Sequence, residues 1–375
     1  MTESTQPTHG FDYGRMLADF TPDDVYQHPF ELTVDASIVG PYMASFIDAT
    51  PMWTSDRFAR AAQLPGRPVP PHLLLNLGLS FSVHDVSQQA IAHLAYVSVK
   101  FPKPLPLGGT VRGASRVISA KAASSGDRGI VHVQTVLCDE HGDRVLDFER
   151  KALIRAGRLG ARPELPVARF GTTQAAAWLG DTPQRYFAET LVEQGIGRDA
   201  FRPPLWGTWE DLEPGTRLLH AAGRTVGESE HMQLSAICRN THPLHWDSMY
   251  CKDNSFMKER VVYGGLVLAW TLTQTSLDVG GHVLWESHWT DGAHPSPVLA
   301  GDTIYAATEV LSRKELNAHM GLVTLRVVGV KNRRPGDLLA EGRDLFAPER
   351  DKKGDERVLE KVVELTREVL VRRRG

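Results

Sequence analysis

His245 is the side chain best placed by its neighbours to do chemistry. It closes the segment Cys238-Arg239-Asn240-Thr241-His242-Pro243-Leu244-His245. An imidazole titrates near ~6.5 and so accepts a proton at neutral pH. Asn240, five residues earlier and across a proline-bearing bend, offers an acceptor and donors that orient a water or the ring. Tyr263-Gly264-Gly265 then opens an apolar run that reads as a helix. The first amides of a helix lack internal acceptors and carry the positive end of its dipole. Glycine there lets a ligand oxygen approach the backbone closely. A base, an orienting amide and such a helix start describe chemistry through an oxyanion, for example the enolate of a thioester.

A degraded version of the segment lies 192 residues upstream (Trp53 against His245): Phe46-Ile47-Asp48-Ala49-Thr50-Pro51-Met52-Trp53. The proline keeps its place, Asp48 stands for Asn240, and an indole stands for the histidine. Thr33 against Thr225, Val69-Pro70-Pro71 against Val261-Val262-Tyr263, and Gly129-Ile130-Val131 against Gly321-Leu322-Val323 hold the same offset. The turn Pro102–Val111 returns as Pro295–Ile304, one residue further on. Chance matches would scatter in offset, so the chain is a duplication. In the first repeat His72-Leu73 replace the two glycines. Loss of base and glycines together predicts one active site per chain, in the second repeat. His231, His242, His288 and His294 have no such support among 15 histidines and read as structural. Asp247 reads as a helix cap. No metal is expected, since no ligand-bearing helix accompanies His242, His245 and Asp247.

The elements that must position these residues read alike in both repeats. A capped helix leads into the Pro-x-His or Pro-x-Trp segment, an apolar helix follows, and strands complete the unit. Thr225 and Glu228 have capping-box spacing, predicting a helix from about Glu228 to Arg239. Leu266–Leu277 is apolar nearly all round, the mark of a buried helix. Strands are predicted at Leu94–Phe101, Val111–Ile118, Ile130–Leu137 and Val145–Ile154, then at Val283–Trp289, Thr303–Leu311, Leu322–Val330 and Leu338–Phe346. The fold class is α+β, an antiparallel sheet wrapped around one helix and made twice. The expected division is a flexible N-terminus over 1–29, a degenerate repeat over 30–156, a linker over 157–206 with a helix near Ala175–Leu179, and a catalytic repeat over 207–348. Residues 349–375 are expected to form an amphipathic surface helix, from the spacing of Val358, Leu359, Val362, Val363 and Leu365.

A formal charge of −3 over 375 residues and no basic stripe exclude a nucleic-acid footprint. Three cysteines without Cys-x-x-Cys spacing read as reduced thiols. No apolar run approaches the ~20 residues that cross a bilayer, and the N-terminus lacks a secretory pattern. A cytoplasmic protein without a membrane partner is expected.

The residues Asn240-Thr241-His242-Pro243-Leu244-His245-Trp246-Asp247, followed by Tyr263-Gly264-Gly265, resemble the signature of the MaoC-like family of double hotdog-fold hydratases. Glu228-Ser229-Glu230-His231-Met232 and Ala300-Gly301-Asp302-Thr303-Ile304-Tyr305-Ala306 narrow the likeness to that family's mesaconyl-CoA-hydrating branch. The resemblance implies a double hotdog fold, a hydratase or dehydratase acting on an acyl-CoA thioester, no cofactor beyond the coenzyme A of the substrate, and a homo-oligomer, a dimer of double hotdogs. His245, Asn240, Gly264 and Gly265 are the implied catalytic set. The wider family's Asp falls on Asn240, which takes no proton, so His245 acts as sole base on a water that Asn240 holds. Tyr263, Trp53, Met52 and Phe46 are expected around the acyl group, the last three shortening the pocket. Arg260 or Arg239 is the candidate for a substrate carboxylate, with Lys331, Arg333 and Arg334 toward the coenzyme A phosphates. The rival readings are another enoyl-CoA hydratase, a thioesterase and a non-catalytic acyl-CoA-binding protein.

Overall fold

The computed structural model describes residues 14–159, 168–169, 174–180, 184–197 and 206–374. In the first repeat β1 (Asp24–Thr33) leads into α1 (Ala36–Ala44), α2 (Pro51–Thr54), α3 (Asp56–Ala61) and α4 (Pro71–Phe81). There follow β2 (Ala90–Lys100), β3 (Thr110–Ala122), β4 (Arg128–Cys138) and β5 (Arg144–Arg155). Between the repeats lie β6 (Ala168–Arg169), α5 (Gln174–Trp178) and α6 (Phe187–Gln194). The second repeat runs β7 (Arg217–Thr225), α7 (Glu228–Ile237), α8 (Ser248–Asn254), α9 (Gly264–Thr275), β8 (Val283–Ala293), β9 (Thr303–Glu315) and β10 (Met320–Lys331). It ends with α10 (Pro335–Ala340) and β11 (Lys361–Arg372).

All strands join one antiparallel sheet in the order β6-β1-β3-β4-β5-β2-β8-β11-β10-β9-β7. From β1 to β7 the order reads as a repeat and its mirror, meeting where β2 pairs with β8. There Tyr96 lies opposite Gly292 and Val99 opposite Trp289. A Cβ on Gly292 would sit 2.8 Å from the Tyr96 ring, so glycine admits the tyrosine at the seam. Helices α4 and α9 pack on each other inside the curl of the sheet. Every residue of α4 is buried, and in α9 all but Gly264 are. Apolar residues of both repeats share one large core, with smaller clusters packed on the strands of each half.

The expected elements recur with longer strands, and several readings need correction. Among the described residues after 348 there is no α-helix; two short 3₁₀ turns precede β11, which fills the slot between β10 and β8. Its spacing fits a helix, but its run of valines favours a pleated, two-sided burial. The charges read as a solvated face are buried pairs: Lys361 with Glu349 at 2.8 Å and Glu364 with Arg326 at 3.1 Å. Leu338–Phe346 is not a strand either. It forms α10 and a turn whose Leu338, Leu345 and Phe346 pack against Val328, Val330 and Val358. The 1–29 segment is not wholly loose, because β1 begins at Asp24, and residues 1–13 lie outside the described ones. The 157–206 linker carries α5 where a helix was expected, and α6 besides. Thr225 ends β7 instead of capping α7. Its hydroxyl meets Thr303 at 2.7 Å, as that of Thr33 meets Thr110 at 2.9 Å, and at the start of α7 the Glu230 carboxylate accepts the Gly227 amide at 3.3 Å.

Candidate active site

Helix α7 stops because Arg239 takes a left-handed conformation, φ 62°. The amides of Arg239 and Asn240 then bond back to Ala236 and Ser235, a Schellman close that ties off the last carbonyls. Asn240 follows, buried, and its Oδ1 accepts the His242 amide at 2.9 Å. Pro243 starts a 3₁₀ turn ending at His245, and Asp247 caps α8 by accepting the amides of Met249 and Tyr250. The Trp246 indole donates to the Asn240 carbonyl at 2.6 Å. The turn is thus fastened on both sides of His245.

His245 Nδ1 donates to the Val261 carbonyl at 2.7 Å. A carbonyl only accepts, so the neutral ring carries its proton on Nδ1 and leaves Nε2 as a free acceptor. Burial pushes the His245 pKa down to about 4, which keeps the ring unprotonated at neutral pH. The Tyr263 ring lies 5.4 Å from the imidazole, and Tyr263 caps α9. Gly264 and Gly265 are therefore the first two helical residues, whose amides have no acceptor within the helix.

Asn240, His245, Tyr263, Gly264 and Gly265 all line one cavity of about 360 Å³. Its opposite wall comes from the first repeat and includes His93, Tyr96 and Arg150. Reasoning from sequence missed these three, and it read as structural His242 and His294, which also line the cavity, the latter with Nε2 3.2 Å from the Tyr96 hydroxyl. It also missed Asn76 of α4, which donates to the Gly265 carbonyl at 3.1 Å and so ties one repeat to the glycine pair of the other. Only the repeat-to-repeat contact brings His93, Tyr96, Arg150 and Asn76 to the site.

The remaining expected residues are elsewhere. Phe46, Met52 and Trp53 are core side chains and do not line the cavity. They fill the equivalent place in the first repeat, where the Trp53 indole donates to Asp48 at 2.6 Å and His72 lies 3.3 Å from the same carboxylate. A void of only about 10 Å³ remains there. Arg260 is paired with Glu228 outside the cavity lining, and Arg239 is exposed. Lys331 and Arg333 are tied to Asp302 and Glu341, and neither they nor Arg334 reach the cavity wall.

The protonation state gives a pH prediction. Burial depresses His245 to about 4 and His294 likewise to about 4. A base that works neutral then stays competent well below the ordinary histidine range. We expect kcat/KM to hold level as pH falls through ~6.5 and to drop only toward about 4. Stability moves in the same direction: the unfolded chain binds protons near ~6.5 that the folded one refuses, so folding weakens between ~6.5 and ~4. Initial rates and melting temperatures across that range check both; an activity midpoint near ~6.5 would mean a solvated, unshifted ring.

A family model described as mesaconyl-CoA hydratase matches residues 5–336. The mesaconyl-CoA hydratase of Cereibacter sphaeroides is 30% identical over 85% of this chain and 90% of its own. The beta-methylmalyl-CoA dehydratase of Chloroflexus aurantiacus is 27% identical over 85% and 89%. A crystal structure of a MaoC domain protein dehydratase from Chloroflexus aurantiacus superposes with a TM-score of 0.79 at 24% identity, over 98% of this chain and 100% of the other. A double hotdog protein of Mycobacterium tuberculosis gives 0.68 at 17% identity, over 96% and 99%. The fold is a double hotdog.

Proposed function

Because the chain belongs to the mesaconyl-CoA hydratase family, we propose that it adds water reversibly to the double bond of mesaconyl-CoA, giving β-methylmalyl-CoA. The observation that carries the mechanism is the tautomer of His245. Its Nδ1 is held by Val261 and its Nε2 is free in a cavity shared with the start of α9. His245 Nε2 takes a proton from a water oriented by the Asn240 side chain. The water oxygen bonds to the β-carbon, and the π electrons move onto the thioester oxygen as an enolate. The amides of Gly264 and Gly265 receive that charge, where fixed donors are most effective. The proton on His245 then passes to the α-carbon and the enolate reverts to a thioester. Asn240 positions and donates only, so one base serves both directions.

The chemistry needs no cofactor, since coenzyme A arrives as part of the substrate. Three buried, unbridged cysteines support a reducing, cytoplasmic setting. No helix among the described residues is long and apolar enough to cross a membrane. The edge strand β7 pairs only with β9 among the described residues, which supports a dimer of double hotdogs.

Loss of the conjugated enoyl-thioester absorbance on mixing with mesaconyl-CoA, with no release of free thiol, is the expected result. Thiol release would make the protein a thioesterase, and an unchanged spectrum would sink the hydratase reading.

A further inference from the structure

Arg150 sits in β5 opposite Val133, and Arg367 sits in β11 opposite Leu325. The two arginines are therefore equivalent positions of the duplication. His93 and Glu286 correspond in the same way, His93 opposite Ala152 and Glu286 opposite Val369. In the filled half, Arg367 is buried and its Nε lies 2.8 Å and 3.0 Å from the two Glu286 oxygens. That pair closes on itself beside Trp53 and Asp48.

In the cavity half the arginine remains and the glutamate is gone. Arg150 is 4% exposed and lines the cavity. One of its nitrogens donates to Ser82 Oγ at 2.8 Å and Ser87 Oγ at 3.2 Å, while its Nε has no partner. No carboxylate pairs with it among the described residues. Burial lowers its pKa to about 10, so it stays charged at neutral pH. His93, in the place of the glutamate, has two ring nitrogens without partners, and burial holds its pKa well below the ordinary value. A neutral ring cannot balance the guanidinium. A buried, uncompensated cation is strongly unfavourable, and the fork of a guanidinium matches a carboxylate.

We propose that Arg150 binds the free carboxylate of the substrate, which takes the place that Glu286 holds in the other repeat. The assignment rests on the hydratase reading and names the residue that selects half-thioesters of unsaturated dicarboxylic acids over monocarboxylic enoyl thioesters. A methylfumaryl thioester carries its free carboxylate on the β-carbon. Both ends of its double bond bear an electron-withdrawing group. Anchoring the carboxylate on Arg150 and the thioester on the start of α9 sets which end becomes the enolate, and so which carbon takes the hydroxyl.

Initial rates of the wild type, Arg150→Gln and Arg150→Lys on mesaconyl-CoA and crotonyl-CoA, which lacks the carboxylate, test this. For Arg150→Gln we expect kcat/KM on mesaconyl-CoA to fall by about 100-fold or more, as when one member of a buried ion pair is removed. On crotonyl-CoA it should stay within about threefold, or rise. Arg150→Lys should keep part of the mesaconyl-CoA activity. Equal loss on both substrates, or none on mesaconyl-CoA, overturns the proposal. A wild type that hydrates crotonyl-CoA but not mesaconyl-CoA also overturns it and leaves the hydratase reading standing. A wild type inactive on both removes the reading and this proposal together. Should Arg150→Gln not fold, the wild type alone decides: methylsuccinyl-CoA should raise its melting temperature more than butyryl-CoA, and equal shifts count against Arg150.

Discussion

His245→Ala is expected to lower turnover of mesaconyl-CoA by about 10²–10⁴-fold, the usual contribution of a placed general base. The reason lies in the local geometry. The Val261 carbonyl fixes the ring proton on Nδ1 and leaves the other nitrogen, on a ring that lines the cavity, as the proposed base. Neither Asn240 nor Tyr263 can stand in. The amide of Asn240 takes no proton, and burial holds the Tyr263 hydroxyl well above its ordinary pKa. Alanine also leaves the Val261 carbonyl without its donor, so a fall in stability would accompany the loss. His245→Asn separates the two effects, because its Nδ2 falls where the ring Nδ1 was and still donates to Val261 but accepts no proton. Both variants should lose the same activity, while the asparagine variant should melt closer to wild type. Turnover within about threefold of wild type in either would remove His245 from the mechanism.

Gly265→Ala should be nearly as damaging through a different route. A Cβ built there would lie 2.1 Å from Asn76 Oδ1 and 2.9 Å from Tyr263 Cζ. Asn76 cannot swing away cheaply. It is buried and its Nδ2 already bonds the His72 and Gly265 carbonyls at 2.8 Å and 3.1 Å. The start of α9 must shift instead, carrying the amides proposed to receive the enolate charge. Overpacking of this kind costs about 1–3 kcal/mol of stability. Displacing an oxyanion donor lowers kcat by roughly 10²–10³-fold. At Gly264 the nearest contact is His294 Nε2 at 3.1 Å, an overlap that a shift of a few tenths of an ångström relieves, so Gly264→Ala should be milder. Kinetics and thermal unfolding of the two variants side by side check the order. If Gly265→Ala keeps wild-type kcat, the amides of α9 are not the oxyanion site.

The sequence by itself determined the duplication, the antiparallel strands with a buried helix in each repeat, and the His245–Asn240–Gly264–Gly265 constellation. Those follow from local patterns: proline and glycine fix turns where they stand, and apolar periodicity marks helices buried on every side. The same patterns misread β11. Its valines fit a helical spacing, and only the open slot between β8 and β10 makes them a strand. That error hid the equivalence of Arg150 and Arg367, because the segment carrying α10 shifts the repeat offset from 192 to 217 residues (Arg150 against Arg367).

What only the tertiary structure decided is the far wall of the cavity. His93, Tyr96 and Arg150 belong to the first repeat and line the same cavity as His245 of the second. It also decided that Trp53, Met52 and Phe46 fill the vacated site and leave the living one untouched. An open cavity forms where His245 and two glycines leave room, and a solid core forms where an indole and a histidine take it. Which strand of the other repeat lines that opening depends on contacts between residues far apart in the chain, and no local pattern encodes them.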